Sequence, residues 1–210
     1  MSAPRSRASA TVIEARTTSP QDTRALGQAL AGALRPGDVV LVSGDLGAGK
    51  TVLAQGVAAG LGVPDAVTSP TFTLVRPLPC GPDAGDPTGP GPVRTMLHAD
   101  LYRLEHRHEV VDLGLGELVE DEAVAVVEWG EAAEPLLGRD ALGIFLEPPA
   151  ERDGVAEDAV GTAEDVRLVR VTVTGPWAPR AGVLLQVLAP WMTRERPGDP
   201  SAARGGRQRC

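Results

Sequence analysis

Lysine is almost missing from this chain. Of its 20 basic residues 19 are arginine, and the one lysine, Lys50, lies in a glycine-rich stretch. A chain that covers its surface with arginine marks that lysine for a role other than solubility. Cysteine is nearly as scarce. Cys80 and Cys210 form no CxxC pair, which excludes a disulfide framework and a zinc ribbon. His98, His106 and His108 lack metal-ligand spacing, and His98 reads as a structural residue. No run of about 18 apolar residues occurs, so no membrane-spanning helix is expected. The opening MSAPRSRASA lacks the apolar segment of a secretory leader, and a cytoplasmic location is the expectation. A basic excess is absent too: 28 acidic residues against 20 basic ones give a formal charge of −8. That is the opposite of the footprint of a protein that grips nucleic acid by its phosphates, and no DNA partner is expected.

What is present is enough apolar sequence for one core, 42% of 210 residues. The stretches 1–10, 79–92, 148–165 and 196–210 are too rich in Pro, Gly, Ala and charge to bury much. The expected organisation is a disordered tail over 1–10, a single domain over 11–195 with exposed insertions at 79–92 and 148–165, and a second disordered tail over 196–210. Within the domain, strand patterns at 10–16, 38–44, 93–100, 123–129 and 141–147, a loop leading into a strand at 68–78 and a half-exposed alternating strand at 165–175 are interspersed with helical ones. Ser19-Pro20 starts a helix expected to run through Leu34, and Pro36-Gly37 stops it. A mixed acidic helix is expected near 106–120, and PWAPRAGVLLQVLAPW, from Pro176 to Trp191, closes the domain as an amphipathic helix. Such alternation predicts an α/β fold, a mostly parallel central sheet with antiparallel edge strands.

The strongest local signal is Gly44-Asp45-Leu46-Gly47-Ala48-Gly49-Lys50-Thr51, a full match to G-x-x-x-x-G-K-[ST] placed after an apolar strand and before a helix. At this composition the match arises by chance in roughly one chain in a thousand. The glycines let successive N–H groups face phosphate oxygens, Lys50 reaches the terminal phosphates, and the Thr51 hydroxyl takes a Mg2+ position. The motif makes the expected fold a P-loop NTPase-like three-layer sandwich. Turnover needs an acid near the metal, and Asp100 and Glu128 each end an apolar strand, so both should emerge beside the loop. The pattern alone does not say which of the two touches the metal. Trp129, next to Glu128, is a candidate to cover the nucleotide or a partner.

GDLGAGKT at 44–51, SPTFTLV at 69–75, HADLYRL at 98–104 and VVEWGE at 126–131 follow one another in this order, and together they resemble the TsaE family of tRNA threonylcarbamoyladenosine biosynthesis proteins. The resemblance runs from about Ser19 to Val173. It implies a small bacterial P-loop ATPase, slow on its own, that binds ATP and Mg2+, supports tRNA modification and acts on a TsaB–TsaD complex, so that contact with tRNA is indirect. On this reading Gly47, Ala48, Gly49, Lys50, Thr51 and Val52 bind phosphate with Gly44, and Thr51 and Glu128 hold Mg2+. Asp100 is then a nucleotide-side acid needed for hydrolysis, Thr71 a γ-phosphate sensor in a switch-like loop at 69–71, and Trp129 a neighbour of the metal ligand. Lys50, Asp100 and Glu128 make up the catalytic set. The helix segment Thr23 to Gly27 matches the family's T-x-x-L-G, and Pro20 just before it is placed against the base. Stretches 79–92 and 148–165 exceed the compact family pattern, and the arginine-rich end lies outside it. Two other functions share the loop: a small-molecule kinase, and a nucleotide-gated binding module with negligible turnover.

Overall fold

The computed structural model describes residues 10–64, 67–70, 73–104, 107–114, 119, 122–147 and 165–192. Among them are the strands β1 (Thr11–Thr17), β2 (Val39–Ser43), β3 (Val75–Pro79), β4 (Thr95–Asp100), β5 (Ala123–Glu128), β6 (Leu142–Glu147) and β7 (Arg167–Val173). The helices are α1 (Pro20–Ala31), α2 (Lys50–Gly60), α3 (Arg107–Asp112), α4 (Glu134–Leu137) and α5 (Ala181–Leu188). All seven strands join one sheet in the order β1-β7-β6-β2-β5-β4-β3. The four strands β6, β2, β5 and β4 run parallel, whereas β7, β1 and β3 pair antiparallel at the two sides. The α/β, P-loop NTPase-like architecture with antiparallel edges is therefore the one expected.

Burial explains the arrangement. Every residue of β5, AVAVVE, is buried, as the continuous apolar run of an inner parallel strand requires. β7 alternates instead, with Val169, Val171 and Val173 in the core and Arg170 in solvent. One sheet face packs on α1, α2 and α5 through Leu26, Leu30, Leu53, Val57, Leu184 and Leu188. The other face packs through Leu41, Ala125 and Val127 on Val110 of α3 and on Ala133. These are the three layers. Pro77 and Pro79 fall in β3, where an edge strand tolerates a missing donor.

α1 opens as anticipated: the Ser19 hydroxyl accepts the Asp22 N–H at 3.0 Å and Pro20 takes the first helical position. It ends at Ala31 rather than Leu34, because the last turn tightens, with the N–H groups of Ala33 and Leu34 donating to the carbonyls of Leu30 and Ala31. Likewise the closing helix is broken up. Gly175–Arg180 and Ala189–Trp191 form 3-10 turns around α5, where Pro176, Pro179 and Pro190 interrupt the α pattern.

The stretch 79–92, expected as an exposed excursion, is seated on the ends of α1 and α2. Ala84 and Asp86 are buried, the Asp86 N–H donates to the Leu34 carbonyl at 2.6 Å, and Gly81 N–H donates to that of Leu61 at 2.8 Å. Arg35 Nε donates to the Asp86 carboxylate at 2.9 Å. Gly85 makes this possible: at φ 97° a side chain there is strained, and its Cβ would lie 2.8 Å from the Leu34 oxygen. The helix expected near 106–120 is short: α3 ends at Asp112 and the chain turns through Gly114 at φ 58°, while 106, 115–118 and 120 lie outside the described residues. The expected disordered tails apart from Ala10, and the insertion 148–165 apart from its last residue, lie outside them as well. Among the described residues no helix is long and apolar enough to cross a membrane.

Candidate functional site

Three parallel strands deliver their carboxyl ends to one place. Register pairs Val42 of β2 with Glu128 of β5, and Glu128 with Asp100 of β4. The loop that follows β2 turns through Gly44 (φ 132°), Gly47 (φ 80°) and Gly49 (φ 102°), a backbone region that disfavours side chains. At Gly44 a Cβ would stand 2.2 Å from the Leu146 carbonyl, so the loop is pressed against the end of β6. α2 then begins at Lys50, and the Leu53 N–H closes its first turn on the Gly49 carbonyl at 2.9 Å. Among the described residues the N–H groups of Gly47, Gly49, Lys50, Thr51 and Val52 meet no protein acceptor. A helix N-terminus preceded by open amides in a tight loop attracts an anion.

Lys50 is 5% exposed, and its Nζ donates to the carbonyls of Gly44 at 2.6 Å and Asp45 at 2.7 Å. Burial pushes its pKa down, while the carboxylates of Glu131, Glu128, Asp100 and Asp45 pull the other way. The ammonium also stands 3.6 Å from the centroid of the Trp129 ring, a cation–π contact. Trp129 can lie there because the chain turns sharply after β5, placing it in the left-handed region at φ 58°, ψ 45°. The Tyr102 ring packs on it with centroids 4.8 Å apart.

Glu128 is 2% exposed and uses both oxygens: Oε2 accepts the Thr51 hydroxyl at 2.7 Å, and Oε1 contacts His98 Nε2 at 2.8 Å. Asp100 is 4% exposed; its Oδ1 accepts the Tyr102 N–H at 3.0 Å, and its Oδ2 accepts the Ser69 hydroxyl. This donor set suits a hard divalent cation. The 2.7 Å between Thr51 Oγ1 and Glu128 Oε2 is close to the separation of about 2.9 Å between neighbouring oxygens around octahedral Mg2+. Among the described residues no group of three or more His, Cys, Asp or Glu side chains could cage a metal. A cation held by Thr51 and Glu128 would therefore complete its shell with phosphate and water, as Mg2+ ordinarily does.

The structure thus brings together Gly47, Gly49, Lys50, Thr51, Val52, Asp100, Glu128 and Trp129 around a cleft of about 480 Å3, with Gly44 outside its lining and joined to it through Lys50. Ala48 is buried behind it, its N–H donating to the Asp45 carbonyl at 3.1 Å, so its amide is not one of the open donors. Thr71 lies outside the described residues. Pro20 is at the start of α1, and the nearby Thr23 has its Cγ2 3.9 Å from where a Cβ of Gly49 would be. Four further residues join the site. Ser69 and Tyr102 hold Asp100, Glu131 Oε1 accepts the Gly44 N–H at 3.0 Å, and Arg167 grips the loop from outside through the carbonyls of Ala48 and Gly47. Ser69, Tyr102 and Glu131 stand inside the quoted motifs, which was their available signal; Arg167 stands in none.

Comparison with known proteins supplies a family and a fold. Residues 17–154 match the family described as threonylcarbamoyl adenosine biosynthesis protein TsaE. The tRNA threonylcarbamoyladenosine biosynthesis protein TsaE of Streptomyces coelicolor is 44% identical over 158 residues, 74% of this chain and 93% of that one. Its counterpart in Bacillus subtilis is 38% identical over 131 residues, covering 62% of this chain and 75% of the other. A crystal structure of Bacillus subtilis YdiB superposes with a TM-score of 0.61 at 27% identity, covering 87% of this chain and 97% of that chain.

Proposed function

The chain belongs to the TsaE family and to tRNA threonylcarbamoyladenosine biosynthesis, and from that premise we propose that it binds ATP with Mg2+ and hydrolyses it to drive a cycle on a TsaB–TsaD complex. The observation that carries this reading is the convergence of Lys50, Thr51, Glu128 and Asp100 on one cleft beside the open amides of α2. The amides and Lys50 bind the phosphate chain. Lys50 then exchanges carbonyl partners and a ring face for full negative charge, which compensates its burial.

Bound through Thr51 and Glu128, Mg2+ supplies charge neutralisation at the phosphate oxygens. His98 and the Thr51 hydroxyl fix the Glu128 carboxylate in one orientation. Asp100, held at both oxygens by Tyr102 and Ser69, orients the attacking water. The water oxygen bonds to the γ-phosphorus as the bond from that phosphorus to the β–γ bridging oxygen breaks; ADP leaves with the electron pair, and the proton of the water passes by way of Asp100 to the released phosphate. Trp129 and Tyr102 cover the phosphate end of the cleft and keep other water out. The charge of −8 supports action through protein partners rather than by gripping tRNA directly.

The test is steady-state phosphate release by the purified protein with Mg2+, alone and with its own TsaB–TsaD pair. Slow release that the partners accelerate and Lys50→Ala abolishes is the expected result. Asp100→Asn should lower turnover by about a hundredfold or more while ATP affinity changes little. Undiminished release in Lys50→Ala, or transfer of phosphate to a small alcohol in place of water, would overturn the reading.

A further inference from the structure

Two glycines in the loop between β2 and α2 leave its backbone with little steric restraint. Positive φ at Gly47 and Gly49 brackets Ala48 with two residues that rotate at little steric cost, yet the anion cradle works only while its amides point inward. Something outside the loop has to hold those peptides. The side chain that does so comes from 119 positions further along: Arg167, the first residue of β7, donates from Nε to the Ala48 carbonyl at 3.0 Å and from Nη2 to the Gly47 carbonyl at 3.2 Å. Its Nη1 donates to the Val166 carbonyl at 2.7 Å, and its backbone is paired in register with Thr17 of β1. The guanidinium is therefore a fixed fork on a rigid strand.

Peptide geometry converts that grip into a direction. In a trans peptide the C=O and the N–H point to opposite sides. Holding the Ala48 carbonyl outward turns the Gly49 N–H of the same peptide toward the cleft that Gly49 lines. Holding the Gly47 carbonyl works with the bond from the Ala48 N–H to the Asp45 carbonyl, 3.1 Å, to fix the preceding peptide. We propose that Arg167 is a positioning residue of the phosphate loop, setting the Gly49 amide toward the phosphates from outside the lining of the cleft. The inference rests on the nucleotide reading above and deepens it. It falls outside the family match, which ends at residue 154.

The experiment measures ATP and ADP affinity by calorimetry for the full chain, Arg167→Ala, Arg167→Lys and Arg170→Ala. Arg170, three residues along on the exposed sheet face and paired with Glu147 at 2.9 Å, is the control expected to match wild type. Arg167→Ala should weaken both nucleotides by roughly tenfold, and Arg167→Lys by less, since one ammonium cannot span two carbonyls. Added guanidinium ion should restore part of the Arg167→Ala affinity and none of any loss in Arg170→Ala, a rescue that a general loss of stability would not show. If Arg167→Ala does not fold, Arg167→Lys decides. Wild-type affinity in the Arg167 variants overturns the positioning role alone, and so does a loss that guanidinium does not restore. Absence of ATP binding by the wild-type chain overturns the nucleotide reading together with it.

Discussion

Glu128 shows how much one buried carboxylate depends on its neighbours. Thr51 occupies one oxygen and His98 the other, and His98 is fully buried with no partner for Nδ1 among the described residues. Because a carboxylate only accepts, the proton between the two lies on His98 Nε2. His98→Leu would leave Glu128 Oε1 buried without a donor, an expected loss of about 1–3 kcal/mol in urea unfolding. His98→Gln, which still carries a donor, should recover part of it. ATP affinity with Mg2+ present should fall more in His98→Leu than affinity without it, and equal losses would make His98 a packing residue only. The sequence marks HADLYRL as a motif and reads its histidine as structural, but the partner is not legible there. It depends on the register of β4 on β5, which sets His98 opposite Val126 and so two positions diagonal to Glu128 on the same face.

At the scale of elements, the contact between α1 and α2 decides where the phosphate loop sits. Both helices carry interior glycines, normally a cost of about 1 kcal/mol each relative to alanine. Their spacing makes the backbones touch: a Cβ on Gly27 would stand 2.4 Å from the Leu53 carbonyl, and one on Gly56 would stand 2.1 Å from that of Arg24. Gln55 extends the contact, accepting from Arg24 at 2.5 Å and donating to the Val67 carbonyl at 2.8 Å, so the same helix reaches the segment that carries Ser69. Gly56→Ala should therefore lose about 1–3 kcal/mol despite its gain in helix propensity, with a parallel fall in ATP affinity as the start of α2 shifts. Urea unfolding and an ATP titration check both parts, and a stabilised variant would mean that the helices can part freely. Apolar periodicity, the Ser19 cap and the Gly-Lys-Thr loop made these helices legible, because such signals are local. The seating of 79–92 was not. Its composition suits an exposed loop, and the contacts of Gly85 and Asp86 with the end of α1 and of Gly81 with the end of α2 draw it inward.

For the molecule as a whole, the question is what holds the C-terminal segment against the first half of the chain. β1 pairs with β7, Trp191 Nε1 donates to Asp22 at 2.6 Å, and a buried fork also crosses this seam. Arg180 donates from Nη2 to Asp38 Oδ1 at 2.6 Å and from Nη1 to Oδ2 at 2.9 Å, with Trp177 stacked 3.7 Å from the guanidinium. Asp38 also accepts the Arg35 N–H at 2.7 Å, so one carboxylate ties the turn before β2 to the turn before α5. Its partner could not be read from the sequence, since the two residues stand 142 positions apart in turns of unlike composition. Removing one member strands the other: Asp38→Ala is expected to cost about 3–5 kcal/mol in urea unfolding, because a buried guanidinium would lose its counter-charge. A pair of apolar replacements, Asp38→Leu with Arg180→Met, removes both charges and should regain most of that loss. If the double variant is no more stable than Asp38→Ala, the seam depends on the shape of the Arg180 stack on Trp177 and the Arg35 N–H bond, and the charge pair serves alignment rather than stability.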